Sequence, residues 1–209
     1  LTRPLPLLDL RQWTAQSASM AKAWQVHPVR AVRSAAQTPG WPPLTRAYPA
    51  VMGVLNITPD SFSDGGQFLK PNDAPAQAER MIADGADFID VGAESTRPYG
   101  GQQPVAAEDE ISRLRPVLKD IVSLGTPVSI DTMKAALARL ALDAGASIVN
   151  DVWGLQRDAD MARVVADYAV PLVAMHNRNA ADPAIDIMQD IAAFFSRTLE
   201  IAAKSGFAH

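Results

Sequence analysis

Two polar loops hold most of the side chains in this sequence that could do chemistry. Asn56 leads Ile57-Thr58-Pro59-Asp60-Ser61-Phe62-Ser63-Asp64-Gly65-Gly66, and Asp90 leads Val91-Gly92-Ala93-Glu94-Ser95-Thr96-Arg97-Pro98. The first can offer an amide oxygen to a divalent cation and hydroxyls to an anion, and can swing the Phe62 ring over a flat ligand. The same composition also suits a turn of Asx and Ser residues satisfying its own backbone. In the second loop, Thr96 and Arg97 supply a hydroxyl and a guanidinium matched to phosphate oxygens, although Glu94 and Arg97 could equally form a surface ion pair. Two shorter breaks follow at Ser129-Ile130-Asp131-Thr132 and Asn150-Asp151. Asp131 is placed to cap a helix or to accept two hydrogen bonds from an N–C–N edge such as that of a guanine or pterin ring. Asn150-Asp151 reads as a cap or as a ring-reading amide.

Each of these breaks ends a short apolar run. Strands are expected at 50–55, 86–91, 127–131, 146–150 and 171–175, rich in Val, Ile and Ala and too continuous to be half exposed, as in a parallel sheet covered by helices. Helical spacing falls between and after them, at about 72–84, 105–123, 132–143, 158–169 and 184–204, with Ile111, Leu114, Val117, Leu118 and Ile121 marking one apolar stripe. Gly85, Gly125, Gly145 and Gly206 each follow a helix, where left-handed backbone is cheapest without a Cβ. Five consecutive βα units result, and strand-end chemistry of this kind is how a TIM (β/α)8 barrel gathers its site onto one face. An open doubly wound sheet competes, but its nucleotide-binding forms carry a Gly-rich first turn that is not present here. At about 32 residues per unit, eight units need roughly 250 residues, so only about five fit.

Bulk properties narrow the partners. The 209 residues are 48% hydrophobic with a net charge of −4 and a pI near 5.3, which argues against nucleic acid and for small-molecule substrates. Without Cys there is no disulfide framework or thiolate nucleophile, and a reducing compartment is permitted. No apolar stretch approaches the roughly 20 residues that span a bilayer, so a cytoplasmic protein without a membrane partner is expected. Charge is uneven: Arg3, Arg11, Lys22, Arg30, Arg33 and Arg46 face Asp9 alone, giving residues 1–47 about +5 and the remainder about −9. This stretch is set apart as a basic extension of unknown role before a barrel domain at 48–209. A transit-peptide reading competes with an ordered prefix, which Trp13, Trp24 and Trp41 favour. The sequence begins at Leu1 and not at Met, so a missing start is expected.

The run from Met52 to Gly66 closely resembles the first signature of the dihydropteroate synthase family, and Asp90 to Pro98 resembles its second. Ser129 to Thr132, Asn150-Asp151 and Met175-His176 fall where the next strand-end motifs of that family lie, so the resemblance covers about residues 48 to 209. It implies a TIM barrel that condenses 6-hydroxymethyl-7,8-dihydropterin pyrophosphate with 4-aminobenzoate, assisted by Mg²⁺, to give 7,8-dihydropteroate and pyrophosphate in folate synthesis. By matching position, Asn56 would help hold Mg²⁺ and the pyrophosphate, Thr96 would contact the diphosphate, Asp131 and Asn150 would read the pterin, and Met175 would pack against its ring. Phe62, Thr96 and Pro98 would frame the aminobenzoate site, with Asp64 and Arg97 ordering the two loops. Asn56, Asp64, Arg97 and Asp131 are thus the expected catalytic set, and a homodimer is expected of the complete protein.

Some positions depart from that pattern. Tyr99 and Gly100-Gly101 lengthen the second loop, Trp153 stands where a smaller polar residue is common, and Asn177 follows Met175-His176 where Met is frequent. The family's later Asp-Pro-Gly segment, its site Lys and its Arg-x-His ending have no counterpart, so the 209-residue chain by itself is expected to be inactive. Alternative readings are a pterin-binding methyltransferase barrel and a non-catalytic shortened barrel that binds a partner through an exposed edge. The pairing of Thr96 with Arg97 favours the synthase.

Overall fold

The computed structural model describes residues 50–57, 73–94 and 105–206. Their elements follow in the order β1 (Met52–Asn56), α1 (Asp73–Ala83), β2 (Phe88–Gly92), α2 (Ala107–Leu114), α3 (Leu118–Ser123), β3 (Val128–Asp131), α4 (Ala135–Asp143), β4 (Ile148–Asp151), α5 (Met161–Tyr168), β5 (Leu172–Ala174) and α6 (Ile187–Lys204). The extension 1–47 lies outside the described residues.

The five strands form one parallel sheet in the order β1-β2-β3-β4-β5. A strand order that never reverses is that of a singly wound barrel wall, and excludes the reversal that defines a doubly wound sheet. Because side chains alternate along a strand, the register sorts residues into rows. Leu55, Val91, Ile130, Val149 and Leu172 form a row on the helix-covered face, where they pack with Leu114, Leu118, Leu137, Ala138, Met161 and Val165. On the other face, the row nearest the strand ends is Asn56, Gly92, Asp131, Asn150 and Val173, and below it lie Val54, Asp90, Ser129 and Ile148.

Helix boundaries follow local chemistry. The expected helix over 105–123 is two helices, because Pro116 has no N–H to donate to Ser112 and its ring crowds that carbonyl. α4 buries Ala135, Leu137, Ala138, Ala141 and Leu142 on one side, the stripe a covering helix requires. α6 starts where Asp186 accepts from the Met188 and Gln189 amides at 3.0 and 3.1 Å. The four helix-following glycines all have positive φ. The end of α5 differs: Ala169 takes the left-handed conformation at φ 51° despite its Cβ.

Candidate active site

Parallel pairing brings Asn56, Asp131 and Asn150 to neighbouring positions of one row, though they are far apart in sequence. Gly92 stands between the first two. A Cβ built on it would meet Asp131 Oδ2 at 3.4 Å and Asn56 Oδ1 at 3.5 Å, so the missing side chain leaves a gap bordered by two oxygens. Asn150 donates from Nδ2 to Asp90 Oδ2 at 2.9 Å. Since an ionised carboxylate only accepts, this bond fixes the amide's orientation and leaves Asn150 Oδ1 as an acceptor.

The row beneath is polar where a barrel interior would ordinarily be apolar. Asp90 and Ser129 are buried, and Asp90 Oδ1, Ser129 Oγ and Asp131 Oδ1 are all enclosed with no hydrogen-bond partner. Orphaned buried atoms are costly, and three on adjacent strands are acceptors that donors from a guest could satisfy. Burial, reinforced by the nearby charges of Asp90, Asp151 and Glu94, raises the Asp131 carboxyl from 3.8 to about 7.

Asp131 does not cap the following helix. The N-cap of α4 is Lys134, and the Ala135 amide donates to Asp158 Oδ2 at 2.8 Å. Asp151 is a turn builder: its carboxylate accepts from the Trp153 and Leu155 amides at 2.8 and 2.7 Å. Those bonds hold left-handed backbone at Gly154 (φ 53°) and Leu155 (φ 68°), conformations that persist only when surroundings enforce them. Burial raises the Asp151 carboxyl, with the two amide bonds opposing the shift.

Met175 lies just past β5, half exposed, with its amide donating to Asp151 O at 3.2 Å. Next to it His176 Nε2 pairs with Asp190 Oδ2 at 2.7 Å, Arg178 holds the other oxygen at 2.8 Å, and the His176 ring meets Phe194 edge to face. His176 is therefore tied to α6. Glu94 pairs with Lys134. Phe62, Asp64, Thr96, Arg97 and Pro98 lie outside the described residues. Asp90 and Ser129 were not singled out as ligands from the sequence, although period-two alternation places them on the inner face with Gly92 and Asp131.

Among the described residues no group of three or more His, Cys, Asp or Glu side chains could cage a metal ion. The gap at Gly92 and the hard amide oxygen of Asn56 do fit a Mg²⁺ ion that keeps waters and relies on substrate phosphate oxygens.

Residues 52–209 match a family described as pterin binding enzyme. The dihydropteroate synthase of Clostridium beijerinckii is 48% identical over 157 residues, which cover 75% of this chain and 57% of that protein. The crystal structure of the Clostridium difficile dihydropteroate synthase in the presence of pteroic acid superimposes with a TM-score of 0.70 at 43% identity, over 78% of this chain and 61% of that one. The Xanthomonas albilineans dihydropteroate synthase with 4-aminobenzoic acid gives 0.70 at 38% identity, over 78% and 59%. The chain spans a little over half the length of the curated relatives it matches. With a match running from the first residue of β1 to residue 209, and a parallel sheet in barrel-wall order carrying an acceptor-rich row, the chain belongs to the pterin-binding enzyme family.

Proposed function

We propose that the whole enzyme is a dihydropteroate synthase of folate biosynthesis, a transferase that joins 6-hydroxymethyl-7,8-dihydropterin pyrophosphate to 4-aminobenzoate. The observation that carries this reading is the enclosed set of unpartnered atoms on Asp90, Ser129 and Asp131, beside an amide oriented as an acceptor. A pterin carries an amino group and a ring N–H side by side, and two donors meeting one carboxylate form a bidentate pair. The relatives described above are all dihydropteroate synthases, which favours this chemistry over methyl transfer.

In the proposed reaction the bond between the pterin's exocyclic carbon and the diphosphate oxygen breaks, with the electron pair leaving on oxygen. The aminobenzoate nitrogen then forms the new C–N bond and loses one proton, so pyrophosphate and dihydropteroate balance the substrates. Asp131 and Asn150 would orient the ring, and the negative charge of Asp131 would support the developing carbocation. Met175 would pack against the ring face. Thr96 and Arg97 would bind the diphosphate, Phe62 and Pro98 would border the amine, and Asp64 would order its loop. Asn56 would hold Mg²⁺, which when bound offsets charge on the leaving group.

We extend the reading to a cytoplasmic homodimer, with residues 1–47 as a basic extension outside the barrel domain; no described helix is long and apolar enough to cross a membrane. Calorimetric titration of the folded protein with the pterin pyrophosphate tests the site, and pyrophosphate release with both substrates and Mg²⁺ tests the reaction. One-to-one binding lost in Asp131→Ala is expected. A folded protein with no affinity for the pterin would overturn the proposal.

A further inference from the structure

Asp90 lies one row beneath Asp131 and two strands away from Asn150, with β3 between them, yet it is the partner of the Asn150 amide. The bond from Asn150 Nδ2 to Asp90 Oδ2 is 2.9 Å long and joins residues 60 apart in sequence. Asp90 is 5% exposed, and its other oxygen has no partner among the described residues. Its own row holds Val54 and Ile148, so an apolar residue would suit the position. Burying an acid there calls for a reason beyond packing.

The bond has a consequence for Asn150. A carboxylate carries no hydrogen, so the amide must turn its NH2 toward Asp90 and its oxygen away. Turning the amide over would set Asn150 Oδ1 against Asp90 Oδ2, two acceptors at hydrogen-bond distance in a buried pair. An amide without such a neighbour presents either end at little cost and reads donors and acceptors alike. Beside Asp90 it keeps one polarity.

We propose that Asp90 is a positioning residue that locks the polarity of the Asn150 amide, so that the site selects a ring bearing an amino group over the same ring bearing an oxo group in its place. This rests on the pterin reading for the class of ligand. A pterin amino group has two hydrogens: the Asp131 carboxylate takes one together with the ring N–H, and Oδ1 of the neighbouring Asn150 takes the other. The oxo counterpart, a lumazine, aims an oxygen at Oδ1, and Asp90 keeps the amide from turning over to donate to it. Rejection through a buried polar group left unpaired is strong discrimination.

The test titrates the folded protein with 6-hydroxymethylpterin and, separately, with 6-hydroxymethyllumazine, and compares the ratio of the two affinities among variants. Calorimetry at pH 8 keeps the Asp131 carboxyl above its raised value of about 7. Asp90→Asn preserves the size and the hydrogen bond of the side chain, but its amide can donate or accept, so the pair can turn over together. The pterin-to-lumazine ratio should fall about tenfold, mainly through tighter lumazine binding. Combining Asp90→Asn with Asn150→Asp reverses the donor within the pair, keeps the wild-type charge and again leaves only an acceptor for the guest. That double variant should restore the ratio to within about threefold of wild type. An unchanged ratio in Asp90→Asn would make the bond a structural contact and overturn the inference. A ratio that stays low in the double variant would overturn it too, by tracing the effect to lost charge, as would a wild type that binds both rings equally. Hydrogen exchange of the Asn150 side-chain amide reads the lock without ligand and should be about tenfold faster or more in Asp90→Leu than in wild type. If the wild type binds neither ring, the pterin reading fails; faster exchange in Asp90→Leu then still supports the lock, and equal exchange overturns it.

Discussion

Asp131 is enclosed with one oxygen unpartnered and three acids close enough to act on it, a combination no helix cap needs. Its role as a ring reader predicts that Asp131→Asn, which turns one acceptor into a donor facing the ring's own donors, weakens pterin binding by about 2–4 kcal/mol. Calorimetry on the folded variant checks this, and unchanged affinity would return Asp131 to a structural role. A pH dependence follows from the same carboxyl. With its pKa raised to about 7, a proton competes with the ligand below that value. Pterin affinity should therefore fall toward a limit of about tenfold per pH unit as the solution is acidified from 7 to 5. Asp131→Asn should abolish that slope along with most of the affinity.

At the scale of elements, the sheet brings Asn56, Asp131 and Asn150 into one row. Phe62→Ala is expected to raise the Michaelis constant for 4-aminobenzoate and to leave pterin affinity nearly unchanged, since the proposed pterin contacts are made by Asp131 and Asn150 at strand ends; equal losses would count against a separate amine site. Ala169, exposed and left-handed at the end of α5, should accept Gly with a gain of about 0.5–1 kcal/mol and no change in binding, read from denaturant midpoints. That position shows where sequence reading stops: the ends of α1, α3, α4 and α6 carry the Gly that announces them, and this one does not. All five strands were legible because parallel strands are continuous apolar runs, although β1 and β5 are only partly buried, and Asn56, Asp131 and Asn150 were legible because they end those runs. The helix break at Pro116 was available from the missing N–H, but the strong 111–121 stripe masked it. The pairing of Lys134 with Glu94 and Glu110 was not legible, since these partners are 40 and 24 residues away and only the fold brings them together. The turn role of Asp151 was hidden likewise, because nothing in Asn150-Asp151 announces that Leu155 is left-handed.

Across the whole molecule, the sheet buries carboxyl groups on both of its faces, at a cost to the fold. Asp131 and Asp151 both titrate above the ordinary carboxylate value because burial disfavours their charge, whereas Asp190 titrates below it, held by hydrogen bonds from His176 and Arg178. These groups act in different pH windows. Asp190 contributes stability above its unfolded value, lost as pH falls through its lowered folded value. For Asp131 the sign is reversed: below its unfolded pKa of 3.8 both states are protonated and nothing is lost, between 3.8 and about 7 the native state holds the extra proton, and above about 7 the full cost of the buried charge is present. Removing that charge should therefore stabilise the ligand-free protein at alkaline pH while removing its function, the trade-off expected of a strained site. Asp131→Asn is expected to unfold about 2–4 °C above wild type at pH 8, corresponding to about 1 kcal/mol for a chain of this size. The two proteins should converge near pH 4, and added pterin pyrophosphate at pH 8 should raise the wild-type midpoint alone. Thermal unfolding with and without ligand at the two pH values makes the comparison. A variant less stable than wild type at pH 8 would mean that the Asp131 charge supports the fold, and the enclosed row would then have to be a structural network and not a ligand site.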